Sequence, residues 1–204
     1  MTIERSKPYH HGDLRRALIV AGIELLNEGG AATLDLRKVA RKAGVSHAAP
    51  YRHFEDKRAL VAAIAEEGFS RLTEQIKNAV TDVALDGQVL ALATAYVKFA
   101  LAEPALMREM FSGLTIDRHD YPSLHDASKV ALGIVNEMVE RQQVAGSFRQ
   151  EASDKLAVVI WSMCHGLAML LLENQMPMVT VDPNGIDDMI RQSVDALIDG
   201  LRPR

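Results

Sequence analysis

The sequence predicts an all-α protein, with an N-terminal three-helix helix-turn-helix domain over residues 1–70 and a C-terminal helical bundle over residues 71–204. Three observations lead there. Apolar residues recur at intervals of three and four along the chain, and no run keeps period-two alternation long enough for a strand. Aromatics are only 5% of residues, while Ala, Leu, Val and Met are plentiful, which favours helices over sheets. Residues that start and stop helices fall between the periodic stretches.

The first periodic stretch, "GDLRRALIVAGIELLNEGG", sets Leu14, Leu18, Ala21 and Leu25 on one face and stops at Gly29-Gly30. The second, "LDLRKVARKAG", aligns Leu36, Val39, Ala40 and Ala43, with Asp35 as N-cap and Gly44 past the end. Ser46 is read as the cap of a short third helix, His47 to His53. Asp56 caps a long helix through Leu60, Ile64, Leu72, Ile76 and Val80, which Asp86-Gly87 breaks. Further helices are expected over 88–102, 104–111, 124–144, 154–174 and 186–201, with a polar loop, "GLTIDRHDYPS", after the second of these.

The segment from Ala40 to Ser46 carries the first functional signal. Ala40 is small enough for a second helix to approach closely. Gly44 can take the left-handed conformation that ends a helix. Val45 pins the turn to the core, and Ser46 is placed to satisfy an orphan N–H. Together these describe a helix-turn-helix whose second helix is free to enter a DNA major groove. The charge distribution agrees. Residues 1–58 hold eleven Lys and Arg against seven Asp and Glu, a balance of +4; the rest hold twelve against twenty, a balance of −8. A basic head on an acidic body fits a polyanionic partner.

At this point the sequence resembles the tetracycline-repressor (TetR) family of bacterial transcriptional regulators. The resemblance spans about Gly12 to Phe69 and is carried by "LRRALIVAGIELLNEGG", "ATLDLRKVARKAGVS" and "YRHFEDKRAL", above all by Tyr51, Phe54 and Lys57. In the C-terminal part, Trp161, His165 and Gly166 in "WSMCHGL" look like the signature of the Trp-His-Gly regulatory subtype. The resemblance implies double-stranded DNA as partner. Ser46 would then be among the DNA contacts, His47 and Ala48 would come within reach of base edges, His47 bonding a base or a phosphate, and Ala48 or Ala49 would touch a thymine methyl. Tyr51, Arg52 and His53 would face phosphates, Tyr51 with its ring buried and its hydroxyl exposed. Lys57 would hold a phosphate at a helix N-terminus. Thr33 would do the same near the second helix, and Lys38 would reach the backbone. Arg5, Lys7, His10 and His11 are candidates for an arm along the duplex. Phe54 is read as core. Pro50 departs from the family's usual residue; it lies in the first turn after Ser46, where it bends the recognition helix or delays its start.

The helix from Leu156 to Leu172 is apolar all round and therefore needs cover on every side. The last helix carries a stripe of Ile186, Ile190, Val194, Leu197 and Leu201. The resemblance implies that helices 154–174 and 186–201 of two chains form a four-helix homodimer interface. It also implies a pocket for a small-molecule effector, whose candidate walls are Tyr96, Phe99, Met107, Met110, Phe111, Met138, Trp161 and His165. Plain core packing is the competing role for each of these residues.

Other classes are disfavoured. The single cysteine, Cys164, permits no intrachain disulfide and no cysteine-based zinc site, and is read as a small buried residue. No third ligand accompanies His10-His11, so no metal and no cofactor is expected. There is no HExxH, GxSxG or GxxxxGK, and Asp117, His119 and Asp120 lie in a polar loop, so no catalytic residue is proposed. "MTIERSKPYHHGD" lacks the apolar core of a signal peptide, and a cytoplasmic protein without a membrane span is expected. The alternative function is a helical ligand-binding or interaction protein whose head no longer binds DNA.

Overall fold

The computed structural model describes residues 11–112, 120–176 and 183–203. Among the described residues eight α-helices follow one another: α1 His11–Gly29, α2 Leu36–Lys42, α3 Lys57–Val80, α4 Gln88–Ala102, α5 Pro104–Phe111, α6 Pro122–Val144, α7 Ser153–Leu172 and α8 Pro183–Leu201. Short 3-10 turns occupy Ala31–Thr33, Pro50–Arg52 and Leu85–Gly87. Among the described residues there is no strand, so the all-α expectation holds. The expected polar loop after α5 lies largely outside the described residues.

The caps follow the sequence reading where acids were named. Asp35 Oδ1 accepts from the N–H groups of Arg37 (2.8 Å) and Lys38 (3.3 Å), and Asp56 Oδ1 accepts from Ala59 N–H (2.9 Å). Each satisfies donors that the first helical turn leaves without partners.

The long α3 is the spine. It packs on α1 near its start and on α4, α5 and α6 beyond. Leu60, Ile64, Leu72 and Ile76 on it are fully buried. Close approach depends on two glycines. A Cβ on Gly22 of α1 would lie 2.7 Å from Ile64 Cδ1. A Cβ on Gly68 of α3 would lie 2.6 Å from Met110 Sδ and 3.1 Å from Leu106 Cδ1, so α5 rides directly against the α3 backbone. Polar contacts cross the same region: Glu66 of α3 lies 3.8 Å from Arg15 and accepts from the Ser123 hydroxyl (2.9 Å).

α7 has 20 residues and a mean hydropathy of 1.8, long and apolar enough by composition to cross a bilayer. In the fold it packs on α4 and α6, burying Leu156, Ala157, Ile160, Cys164, Leu167 and Ala168. Its opposite face carries Val158 (50% exposed), Val159 (44%) and Leu170 (40%), with Ser162 and Gly166 between them. α8 lies on α4 and α7 and buries Ile190, Val194 and Leu201.

Candidate nucleic-acid interface and buried aromatic cluster

α2 ends as its glycine requires. Gly44 sits at φ +69, where an L side chain is strained. Its N–H donates to Arg41 O (3.2 Å), while Val45 N–H reaches back to Ala40 O (2.9 Å). These two bonds are a Schellman closure, which satisfies carbonyls the helix end leaves open. Val39 and Ala40 are fully buried.

The segment after this turn is not the α-helix expected over His47 to His53. It is a tight coil with one 3-10 turn, Pro50–Arg52. Ala49 N–H donates to Ser46 O (2.9 Å), and the N–H groups of His53 and Phe54 both donate to Pro50 O (2.9 Å each). Pro50 has no N–H to extend the ladder backward, and it is buried. The delayed start anticipated from Pro50 is thus present in the strong form: no α-helical turn precedes it. The Ser46 cap is also corrected. Ser46 contributes its carbonyl, and its hydroxyl makes no hydrogen bond among the described residues.

Phe54 holds this coil to the core. It is 3% exposed, and the Arg15 guanidinium lies 5.8 Å from its ring centre. His47, Ala48 and Arg52 are exposed. Tyr51 is 53% exposed, so the side chain is not the buried ring expected. His53 departs from its expected role: its Nε2 is buried without a hydrogen-bond partner, turned away from solvent. Thr33 departs too. Its hydroxyl lies 2.8 Å from Leu25 O and 2.7 Å from Gly30 O, so its one hydrogen is engaged with the end of α1 and is not free for a phosphate.

Lys57 opens α3, and its Nζ donates to Ala31 O (3.0 Å). That bond brings the start of α3 beside the Ala31–Thr33 turn, and an ammonium keeps two further donors. Lys38 is exposed on α2. Lys42 is committed elsewhere: it pairs with Glu28 and Glu24 of α1, and these acids, Glu28 first, raise its pKa. Arg5, Lys7 and His10 lie outside the described residues, and α1 begins at His11. Asp117 and His119 also lie outside them; Asp120 pairs with Arg58 at 3.7 Å.

In the body, four of the predicted effector residues meet in one ring cluster. The Tyr96 hydroxyl shares a hydrogen bond with His165 Nδ1 (3.0 Å) across 69 residues of sequence. Trp161, one helical turn before His165, sets its ring edge-on to Tyr96 at 5.2 Å. Phe111 lies 4.3 Å from the His165 ring and 5.3 Å from Phe69. Phe99, Met107, Met110 and Met138 are buried in the same core. Sequence reading missed Phe69 as a neighbour of this cluster, since its spacing marks only the buried face of α3. It also missed Glu109, 7% exposed on α5, whose carboxyl burial pushes up in pKa while Lys57 acts in the opposite direction.

Burial lowers the pKa of His165 and raises that of Tyr96, so the imidazole is held neutral. A histidine whose folded pKa lies below its usual 6.5 binds protons more readily once unfolded. Stability is therefore complete above pH 6.5 and falls as the pH drops from there toward the folded pKa. Melting curves between pH 5 and 8 are expected to show this acid loss, and His165→Gln to flatten it. The Cys164 thiol is pushed up to about 12 by burial, so it stays protonated and inert.

Comparison with known proteins now adds to this geometry. Residues 18–64 match the model of bacterial regulatory proteins of the tetR family, and residues 89–199 match a tetracyclin repressor-like C-terminal domain. The chain belongs to the tetR family. A solved structure of a protein of unknown function from Rhodococcus sp. RHA1 is 34% identical and covers 97% of this chain and all of its own, with a TM-score of 0.84. The uncharacterized HTH-type transcriptional regulator YobS of Bacillus subtilis (strain 168) is 29% identical over 93 residues, 46% of this chain and 49% of its own. The class G tetracycline repressor of Vibrio anguillarum is 49% identical over 49 residues, 24% of this chain and 23% of its own. The chain thus spans half the length or less of these two curated relatives. TetR-family regulators are ligand-responsive DNA-binding repressors, with homodimers and palindromic operators as general features.

Proposed function

We propose that this chain is a homodimeric repressor that binds a palindromic operator and is released by a small-molecule inducer, acting by binding and not by catalysis. The head comprises residues 1–70 and the body residues 71–204, of the Trp-His-Gly subtype, and the protein works in the bacterial cytoplasm on the nucleoid. The observation that carries the reading is the exposed set His47, Ala48, Tyr51 and Arg52, displayed on a coil whose Pro50 and Phe54 are buried. His47 and Ala48 read base edges, while Tyr51, Arg52, Lys38 and Lys57 bind phosphates.

Two copies join through α7 and α8. Val158 to Leu172 of α7 carry no Asp, Glu, Lys or Arg, and its outward row Val158, Val159, Ser162, Gly166 and Leu170 matches a partner helix better than water. The inducer enters the region of Tyr96, Phe111, Trp161 and His165, where it meets a largely apolar wall and the Tyr96–His165 pair. Release requires that it bind the DNA-incompetent state more tightly, by a few kcal/mol.

Gel shifts with genomic fragments at two salt concentrations test the reading. Binding is expected to weaken steeply with salt. Lys57→Ala weakens all sites alike and lowers the salt slope by roughly one; an unchanged slope overturns its phosphate role. The absence of an α-helix at the reading segment favours one other reading, a helical ligand-binding or interaction protein with a silent head. That reading prevails if no fragment shifts at low salt.

A further inference from the structure

A row of contacts with shared members runs from the body to the back of the exposed coil. The hydroxyl of Ser123, in the first turn of α6, donates to Glu66 Oε2 of α3 (2.9 Å). The same oxygen lies 3.8 Å from the Arg15 guanidinium of α1. That guanidinium lies over the Phe54 ring, 5.8 Å from its centre, within the roughly 6 Å at which a ring face attracts a cation. Phe54 is buried and belongs to the coil that bears His47, Ala48, Tyr51 and Arg52.

This row adds little to stability, because an exposed ion pair is weak. Its effect is on position. The backbone bonds of Ala49, Arg52, His53 and Phe54 N–H groups all end on Ser46, Ala49 or Pro50 carbonyls. They close the coil on itself, so its place against the rest of the fold depends on the buried Pro50 and Phe54. An arginine on an outer helix face ordinarily extends into water. Arg15 keeps 45% of its side chain exposed, yet its head is held between an anion and the ring that anchors the coil. It makes no other ion pair and no side-chain hydrogen bond among the described residues. Glu66 is confined in turn by Ser123, which stands at the positive end of α6, where first-turn N–H groups lack helical partners.

We infer that Arg15 is a positioning residue for DNA reading: it sets the coil from behind through Phe54, and Ser123 and Glu66 let the first turn of α6 set Arg15. A shift of α6 away from α3 releases the Glu66 carboxylate from Ser123, and with it the hold on Arg15. The role in reading rests on the DNA-binding proposal; the placement of the coil is measurable without DNA.

Amide hydrogen exchange of the full chain, read by NMR, tests the placement at His53 and Phe54, whose N–H groups both donate to Pro50 O. Arg15→Gln should speed exchange there several-fold, with the melting temperature within about 2 °C of wild type. Arg15→Lys, which keeps a cation near the ring, should restore most of the protection. Arg16→Gln, the same loss of charge on the exposed neighbour, should leave the coil unchanged. Ser123→Ala should speed the same amides, and add nothing in a Glu66→Gln background. In gel shifts, Arg15→Gln should weaken binding to the tightest genomic fragment about threefold to tenfold beyond Arg16→Gln. The inference is overturned if the two amides keep wild-type protection in Arg15→Gln, if exchange rises alike throughout the chain, or if Ser123→Ala acts equally with and without the Glu66 carboxylate. Equal DNA affinities of the Arg15→Gln and Arg16→Gln chains also overturn it. If the wild-type chain shifts no fragment, the DNA-binding proposal falls and takes the role in reading with it, while the exchange rates still decide the placement.

Discussion

Val159→Asp is expected to convert the protein to monomers and to abolish tight operator binding. Val159 lies on the outward face of α7, 44% exposed in the single chain and flanked by Ser162, Gly166 and Leu170. In a two-fold dimer the same helix faces its own copy, so one substitution places two carboxylates in the interface. A buried charge without a partner costs about 3–5 kcal/mol. At 1.4 kcal/mol per tenfold, dimer affinity should fall by about a thousandfold or more. Sedimentation velocity reads the change directly. DNA binding should fall with it, because a lone head holds only one half-site. A Val159→Asp chain that still sediments as a dimer would place the interface elsewhere.

The second large effect is expected at Phe54→Ala. Its ring is 3% exposed and closes the coil that follows Pro50. Truncating a buried phenylalanine costs about 3–5 kcal/mol. The coil has few backbone hydrogen bonds of its own, so the loss concentrates on the segment proposed to read DNA. Urea denaturation and the gel shift should both register it. A loss below about 1 kcal/mol would mean that the ring does not anchor the coil.

The contrast between Phe54 and its neighbours shows what was legible in the sequence. Helix spans were readable because apolar periodicity and acidic caps are local: the expected 88–102 and 104–111 are the observed α4 and α5. Core positions such as Phe54, Leu60 and Ile64 follow from the same period. The coil at Pro50 was only half legible. A proline forecasts trouble, but whether a helix bends or fails depends on burying that ring, which is a tertiary matter. Tyr51, His53 and Thr33 are harder still. A side chain's direction depends on which carbonyl or cavity lies beside it, and Leu25 O sits eight residues from Thr33. The Tyr96–His165 bond joins α4 to α7; no spacing rule reports a contact over that separation.

The bare strip at Gly68 has a mechanical meaning. Where two helices interlock through side chains, shifting one past the other means lifting a knob from its hole. Here the thioether of Met110 rests on main chain, and a thioether turns about its bonds with little resistance. The flexible Met110 side chain can adjust its torsions to a small shift of α5 over Gly68. Since α5 also touches α1 and carries Phe111 of the ring cluster, a shift of α5 over Gly68 would be passed from the rings of the body to the first helix of the head.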